Sequence, residues 1–160
     1  MKKALIACLL FASASTFAAT WETTYYNVKQ GYLFVDSESL NETAGTTKMW
    51  TLFAPSIPFD RLGEGYSYRK ILHVINCKER TAAITKAVYY DLDNVAHDAK
   101  VDDSSAQVIV PDSENDFLWK YACKPEARKD LAIHTNNVSE FLAKQVQNTK
   151  QNIIQFQTQK

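Results

Sequence analysis

The sequence has little of what usually identifies a function directly. Its 18 basic residues are matched by 18 acidic ones, so it lacks the basic field that would favour nucleic acid or anionic lipid as a partner. Only four of its 160 residues are glycine, and none belongs to a loop of the type that binds phosphate. A G-x-S-x-G motif is also absent, which removes the usual setting of a nucleophilic serine. The sequence therefore offers no recognisable catalytic motif.

Long apolar segments are absent as well, and the apolar stretch at the N-terminus is short. It runs from Ala4 to Ala12, well below the roughly 20 residues that cross a bilayer. Lys2 and Lys3 precede it and small residues follow it up to Ala18, which is the layout of a cleaved secretory signal. We therefore predict a signal peptide over residues 1–18 and no membrane-spanning segment. The protein would be exported, to the periplasm or to the outside of a Gram-negative bacterium.

A lipidated N-terminus is the alternative. Leu5-Ile6-Ala7-Cys8 matches the lipobox pattern, but only four residues separate Lys3 from Cys8, whereas a signal core needs roughly 7–15 apolar residues. Cleavage after Ala18 is the favoured interpretation. It leaves 142 residues with a net charge of about −2, a normal size for one domain.

Cysteine is scarce, and its number is informative. Cys8 would leave with the signal, so Cys77 and Cys123 remain as one pair in an exported chain. Such a pair favours a disulfide. The bridge would close a loop of 46 positions, which the chain-entropy model values at roughly 4 kcal/mol. Two buried free thiols are the alternative, and a metal site is less favoured because no C-x-x-C pair includes Cys77.

Short β-prone stretches alternate with polar connections through most of the chain. This length and spacing indicate an antiparallel sheet rather than a parallel sheet with crossover helices. We predict a single α+β domain whose antiparallel sheet has about five to six strands, with one helix packed on a face. The predicted strands are Gly31–Val35, Lys48–Phe53, Tyr66–Cys77, Thr81–Tyr90 and Gln107–Val110.

A helix is predicted after Pro111, over Glu114–Cys123. Asp112 or Ser113 can cap it, and acidic residues occupy its first turn, as the helix dipole favours. The disulfide would join the end of this helix to the end of the third predicted strand. The face that would pack on the sheet consists of Phe117, Leu118, Tyr121 and Ala122.

A C-terminal helical extension is predicted over residues 126–160. Asn137 and Glu140 fit a capping pair three residues apart, and apolar residues from Val138 to Phe156 form one narrow stripe among many amides. Three alternatives remain open for this stripe: the helix packs lightly across the domain, it binds a partner helix, or it frays. The domain itself would comprise residues 19–125.

Several landmarks occur in a recognisable order along the chain. They are Asp36-Ser37-Glu38-Ser39-Leu40, Trp50, Tyr68-Arg69, Asn76-Cys77, Tyr89-Tyr90-Asp91, Pro111-Asp112-Ser113 and Cys123. In this order they resemble the surface-adhesin protein E-like domain of Gram-negative envelope proteins, over residues 30–123. The resemblance implies an antiparallel sheet with helix on one face, a disulfide between the matching cysteines, and no catalysis. It also implies a protein partner, since a member of this family binds host matrix and plasma proteins and can dimerise.

The sequence departs from that family in three places. A properly placed lipobox is missing, Asn94 stands where glycine is usual, and the 37 residues after Cys123 have no counterpart in the family pattern. Asparagine also accepts left-handed backbone angles, so Asn94 is compatible with the turn. The missing lipobox leaves surface anchoring open.

Polar clusters supply weaker candidates for chemistry. Asp36 and Glu38 could be the acid/base pair of a small periplasmic hydrolase, which is the rival hypothesis, or could hold a turn through bonds to nearby amides. The segment from Asp91 to Ala96 resembles the start of a calcium loop, with Asp102 at its twelfth position, but the required glycine and bidentate glutamate are absent. Zinc is not predicted because the histidines are widely separated, at His73, His97 and His134. We predict no catalytic residue, no metal and no cofactor.

The loop Ile57–Leu62 is apolar where a polar connection is expected, so it either folds onto the core or forms an exposed interaction patch. We predict a non-enzymatic, protein-binding domain, with homodimer formation as a further option. A structural subunit that uses the C-terminal helix is the third hypothesis. Aromatic residues dominate interface energetics, so the predicted binding residues are Trp50, Phe59, Tyr66 and Tyr68.

Overall fold

The computed structural model describes residues 19–27, 31–55, 66–101, 104–131 and 137–158. Several predictions lie outside these residues, and two sets of them concern whole segments. They are the signal peptide and lipobox of residues 1–18, and the apolar loop Ile57–Leu62 that contains Phe59. The boundary between a domain over 19–125 and an extension over 126–160 stays a prediction.

One antiparallel sheet dominates the described part of the chain. Its eight strands are β1 (Trp21–Asn27), β2 (Gly31–Asp36), β3 (Asn41–Thr43), β4 (Thr46–Pro55), β5 (Tyr66–Asn76), β6 (Thr81–Asp91), β7 (Ala96–Ala99) and β8 (Gln107–Val108). They lie in the order β1-β2-β4-β5-β6-β7, with β3 paired to β4 and β8 paired to β6. The predicted fold class is confirmed, but the predicted strand count was too low.

The strands that the sequence did not predict are those with little apolar alternation. β1 contains Glu22-Thr23-Thr24, β3 is three exposed residues long, and three of the four residues of β7 are exposed. Each is placed by its neighbour in the sheet, through pairs such as Trp21 with Asp36 and Tyr89 with His97. Pairing to an existing edge therefore forms these strands, without a hydrophobic pattern of their own.

The turn between β3 and β4 requires left-handed backbone. Ala44 has φ 51° and Gly45 has φ 76°, the combination of a two-residue type I′ hairpin, whose preferred sequence is Asn-Gly. A Cβ added to Gly45 would have no heavy atom within 4 Å. Any penalty for a side chain there is therefore backbone strain rather than a clash.

Two substitutions in this turn are expected to change stability in opposite directions. Gly45→Ala should lower the free energy of unfolding by about 1–2 kcal/mol, the cost of a Cβ in the left-handed region. Ala44→Asn should raise it by a few tenths of a kcal/mol to about 1 kcal/mol, because asparagine tolerates that region better than alanine. Urea unfolding of both variants measures this, and equal midpoints would contradict it.

The first face of the sheet carries α1 (Glu114–Cys123), and we call it the α1 face. Ser113 is the N-cap and accepts a hydrogen bond from the Asp116 backbone N–H, at 3.3 Å. Phe117 was predicted to pack on the sheet but is only half-buried, whereas Trp119, which was not predicted there, is buried. The core between α1 and the sheet contains Leu33, Val35, Met49, Phe53 and Ile75 beneath Leu118, Trp119, Tyr121 and Ala122.

A disulfide fastens α1 to the sheet, as predicted. Cys77 follows the last residue of β5 and Cys123 ends α1, and their Cα atoms lie 5.5 Å apart. The indole Nε1–H of Trp119 also donates to the Cys77 carbonyl oxygen, at 3.2 Å. At the other end of α1, the buried carboxylate of Asp116 accepts from Arg80 at 2.7 Å and from Lys120 at 2.9 Å. The helix is therefore held at both ends.

The opposite face carries α3 (Val138–Thr158), and we call it the α3 face. The predicted cap is present, since the Glu140 N–H donates to the Asn137 side chain at 3.0 Å and the Asn137 amide donates back to Glu140 at 3.1 Å. Gln145 bonds the Pro55 carbonyl, and Lys150 reaches Asp93 at 2.7 Å. The start of α3 therefore packs across the domain, which is one of the three alternatives that the sequence left open for this helix. Its contacts there join Val138, Phe141 and Leu142 to Phe34, Leu52 and Tyr68.

A short helix, α2 (Arg128–Leu131), follows α1 after a 3₁₀ turn over Pro125–Ala127. The Arg128 guanidinium donates to the carbonyl oxygens of Tyr121 and Ala122, at 2.7 and 3.2 Å. These bonds satisfy carbonyls at the end of α1 that have no partner within the helix. Within the part of the chain described, no helix is both long and apolar enough to cross a membrane.

Candidate functional site

The predicted aromatic binding residues do not share one surface. Tyr66 lies against Tyr89, with ring centroids 4.8 Å apart, while Tyr68 stacks on Tyr90 at 4.4 Å. Tyr89 and Tyr90 are successive residues of β6 and point to opposite faces. The pairing register of β5 shifts between Tyr66 and Tyr68. This bulge places Tyr66 on the α1 face and Tyr68 on the α3 face.

Ser67 is the extra residue of that bulge. Its hydroxyl lies 3.1 Å from the Tyr90 carbonyl oxygen and 2.9 Å from that of Asp91. Tyr66 and Tyr68 are each less than a tenth exposed, and burial together with Tyr90 raises the pKa of Tyr68 to about 12. Whether any of the four aromatic residues binds a partner stays a prediction.

Trp50 lies in the α3 face, two residues before the buried Leu52 on β4, and it is half-buried. Its cross-strand partner is Leu72, and the same register pairs Lys48 with Val74, Leu72 with Lys86 and Val74 with Ala83. Cross-strand partners share a face of the sheet. They form a half-exposed apolar strip with a lysine on either side. We call this set the Trp50 patch: Lys48, Trp50, Leu72, Val74, Ala83 and Lys86.

Asp36 and Glu38, the rival acid/base pair, are not arranged as a catalytic pair. The Asp36 carboxylate is buried and accepts from the Thr20 N–H at 3.1 Å and the Glu38 N–H at 3.2 Å, so that it caps the 3₁₀ turn Ser37–Ser39. Glu38 has an exposed side chain. The pair thus holds the turn at the end of β2, and the enzymatic hypothesis gains no support.

The loop after β6 is closed by Asp91 itself. One carboxylate oxygen accepts from the N–H groups of Asp93 and Val95, both at 2.8 Å, and the other lies 2.9 Å from Nε2 of His97. These bonds hold the pKa of Asp91 below its usual range. Asn94 adopts φ 62°, the left-handed conformation that the glycine of the family pattern would also adopt.

No group of three or more histidine, cysteine, aspartate or glutamate side chains is placed to hold a metal ion in the described residues. His97 is engaged with Asp91, and His73 is in the core. His134 and Asp102 lie outside the described part of the chain. The absence of a metal or cofactor stays a prediction.

A cavity of about 440 Å³ lies on the α1 face, between the first turn of α1 and strands β5, β6 and β7. We call it the α1 cavity. Arg69 and His73 line it from alternate positions of β5, and Glu114 lines it from α1. Its apolar wall includes Ile71, Ile84 and Ala87. Three basic side chains, those of Arg69, His73 and Lys100, therefore share the cavity with the carboxyl group of Glu114.

His73 is 2% exposed and reaches the Thr51 hydroxyl through Nε2, at 3.1 Å. The Thr51 hydroxyl in turn lies 3.5 Å from the Ile71 carbonyl oxygen. Burial, reinforced by the charge of Arg69, lowers the pKa of His73 to about 4. The imidazole is therefore neutral at pH 7.

Arg69 is half-buried, and its guanidinium carbon lies 4.9 Å from the centre of the Phe53 ring. Burial raises the pKa of Glu114 above its usual value, although the positive charge of Arg69 opposes this. In the described residues, Nε of Arg69 and Nδ1 of His73 are buried atoms without a hydrogen-bond partner. Sequence reasoning missed this site, although a signal was present: Arg69, Ile71, His73 and Ile75 alternate onto one buried face.

Comparison with known proteins gives the class of this chain and then its family. The class is that of surface adhesins, because the family model of surface-adhesin protein E matches residues 21–124. The chain belongs to the surface-adhesin protein E family. This confirms the resemblance seen in the ordered landmarks. A comparison with curated proteins finds no match.

Solved structures of Haemophilus influenzae protein E have the same fold. Crystal form II is 12% identical, covers 68% of this chain and 90% of that chain, and has a TM-score of 0.54. The selenomethionine form is 12% identical, with coverages of 66% and 87% and a TM-score of 0.52. Protein E from the non-typeable organism is 11% identical, with coverages of 84% and 92% and a TM-score of 0.51. At this identity the likeness concerns the fold alone.

Proposed function

We propose that this chain is an exported, non-enzymatic envelope protein whose domain binds a protein partner. The observation that carries the proposal is the match to a surface-adhesin family over residues 21–124. Export to the periplasm or the cell surface is part of the proposal, and it accords with the disulfide between Cys77 and Cys123, a bond typical of oxidising compartments.

The Trp50 patch is the surface we propose for this partner. Half-exposed tryptophan beside aliphatic side chains is the composition of an interface centre, where aromatic residues contribute most of the binding energy. Lys48 and Lys86 are exposed at its rim, which favours an acidic contact surface on the partner. Tyr66 and Tyr68 lie at the start of β5, outside the patch, and little of either side chain is exposed, so they are not part of the proposed surface.

Affinity capture followed by a direct binding measurement tests this function. Purified mature protein would be used to capture partners from host plasma and, separately, from envelope extract. Each captured protein would then be purified and titrated against the immobilised chain. Capture from plasma alone would indicate the cell surface, and capture from envelope alone the periplasm. Failure of every purified candidate to bind would contradict the proposal.

Trp50→Ala should weaken binding of the identified partner at least tenfold. This corresponds to a loss of about 1.4 kcal/mol or more of binding free energy, as expected when an aromatic residue at the centre of an interface is removed. Val95→Ala is the matched control, because Val95 is 53% exposed and lies in the β6–β7 turn, outside the patch. It should bind as the native chain does. Surface plasmon resonance measures both, with circular dichroism to verify the fold. Unchanged affinity of folded Trp50→Ala would exclude the patch as the binding surface.

A further inference from the structure

The α1 cavity is lined by two cationic side chains, Arg69 and Lys100, and by one carboxyl group, that of Glu114. Among the described residues no carboxylate forms an ion pair with Arg69, and its Nε has no acceptor. Glu114 faces the same cavity, and burial raises the pKa of its carboxyl group, although the charge of Arg69 opposes this. Leaving a half-buried charge without a partner costs free energy, which an anion would recover.

A second side chain in the cavity, that of His73, also has one atom without a partner in the described part of the chain. His73 is almost wholly buried, and Nδ1 has no hydrogen-bond partner among the described residues. If the Thr51 hydroxyl donates to the Ile71 carbonyl oxygen, Nε2 carries the hydrogen that bonds Thr51, and Nδ1 is left as an acceptor. A ligand would have to supply a donor to that atom.

The two groups lie at a fixed spacing. Arg69 and His73 are four residues apart on one face of β5, which places their Cα atoms about 13 Å apart in an extended strand. The long arginine side chain spans part of that distance, and Ile71 lies between them on the same face. The apolar surface between the polar groups therefore fits an apolar substituent.

We propose that the α1 cavity binds a carboxylate ligand that also has a hydrogen-bond donor and an apolar substituent. The carboxylate would pair with the planar guanidinium of Arg69, which matches its geometry. The donor would bond Nδ1 of His73, and the apolar group would lie on Ile71, Ile84 and Ala87. The volume of about 440 Å³ is within the range of small-molecule sites, about 300–1,000 Å³.

Two sources supply this chemistry, namely a free small acid and the C-terminal residue of a peptide. 3-Phenyllactate represents the first, and acetyl-Ala-Ala-Phe with a free carboxylate represents the second. The amide of each probe keeps its shape and removes its charge. Binding would be followed by NMR on the native chain, through the Nε–H signal of Arg69 and the ring nitrogens of His73.

We expect at least one acid to shift both signals and to bind at least tenfold more tightly than its amide, as a charge-assisted pair requires. Preference for phenyllactate would identify a small-molecule source, and preference for the tripeptide a polypeptide source. Equal binding of acid and amide would overturn the proposal. So would the absence of any shift at Arg69 or His73 with all four probes up to about 10 mM, near the weakest affinity of interest.

Variants give an independent test. Arg69→Met keeps the apolar stem and should reduce acid binding at least tenfold, whereas Lys129→Met makes the same charge change at an exposed position and should not. Arg69→Lys keeps the charge but loses the planar guanidinium group, so its affinity for the acid should lie between those of the native chain and Arg69→Met. Native affinity in folded Arg69→Met would contradict the proposal, and the NMR shifts of the native chain decide the matter if that variant does not fold.

Discussion

Replacing both cysteines, as Cys77→Ser with Cys123→Ser, is expected to lower the free energy of unfolding by about 4 kcal/mol. The bridge spans 46 positions, and without it the unfolded chain regains the conformational entropy of that loop. Since small domains are stable by only about 5–15 kcal/mol, this is a large share of the total. Urea unfolding of the oxidised native chain and of the double variant measures the difference.

The reduced native chain is the control for this experiment. It keeps both sulfur atoms but lacks the bond, so its stability should agree with that of the double variant to within about 1 kcal/mol. α1 would still be attached through the Arg80–Asp116 ion pair and the Trp119–Cys77 hydrogen bond. A loss below about 1 kcal/mol, or two free thiols in protein purified without reductant, would contradict the role assigned to the disulfide.

The second large effect is a dependence of stability on pH that originates at His73. The pKa of this side chain falls from 6.5 to about 4 on folding, so between these values the unfolded chain binds more protons than the folded one. Stability therefore rises as the pH increases from about 4 to 6.5 and falls as the pH decreases through that window. The expected change from this residue is about 3 kcal/mol. Urea unfolding across the window measures it.

Other ionisable groups near His73 determine the controls. Glu114 lines the same cavity and has a raised pKa, so it contributes with the opposite sign, because its stabilising effect is lost as the pH rises above its unfolded value of 4.5. Glu114→Gln should therefore steepen the rise, and His73→Met should flatten it. Asp116 has a lowered pKa, so it acts below 3.8, outside the window. A slope unchanged in His73→Met would contradict the assignment.

Local sequence patterns predicted the four long strands β2, β4, β5 and β6, helix α1 and the start of α3. The apolar alternation of β2, β4, β5 and β6, the cap and acidic first turn of α1 and the Asn137–Glu140 pair before α3 all appear where the sequence indicated. The disulfide followed from counting cysteines. The three weak strands were missed because their positions come from partners in the sheet, as for β7, which pairs with β6 through Tyr90–Ala96.

The candidate sites were harder to predict because they depend on register and coverage. One bulge at Ser67 separates Tyr66 and Tyr68 onto opposite faces, which simple alternation cannot foresee. The α1 cavity exists because a ten-residue helix covers only part of the α1 face. The residues around Arg69 and His73 do not determine where α1 lies on the sheet. The sequence did indicate that Arg69 and His73 share a face of β5 with Ile71 and Ile75.

Every long strand of the sheet pairs with its neighbour along the chain, so an emerging polypeptide can assemble hairpin by hairpin without waiting for its C-terminal end. Contacts between sequence neighbours close small loops and form quickly. α1 comes after all eight strands, and Cys123 therefore meets a Cys77 that is already anchored at the end of an assembled hairpin. The bridge then locks a fold that the pairing of the strands has already selected.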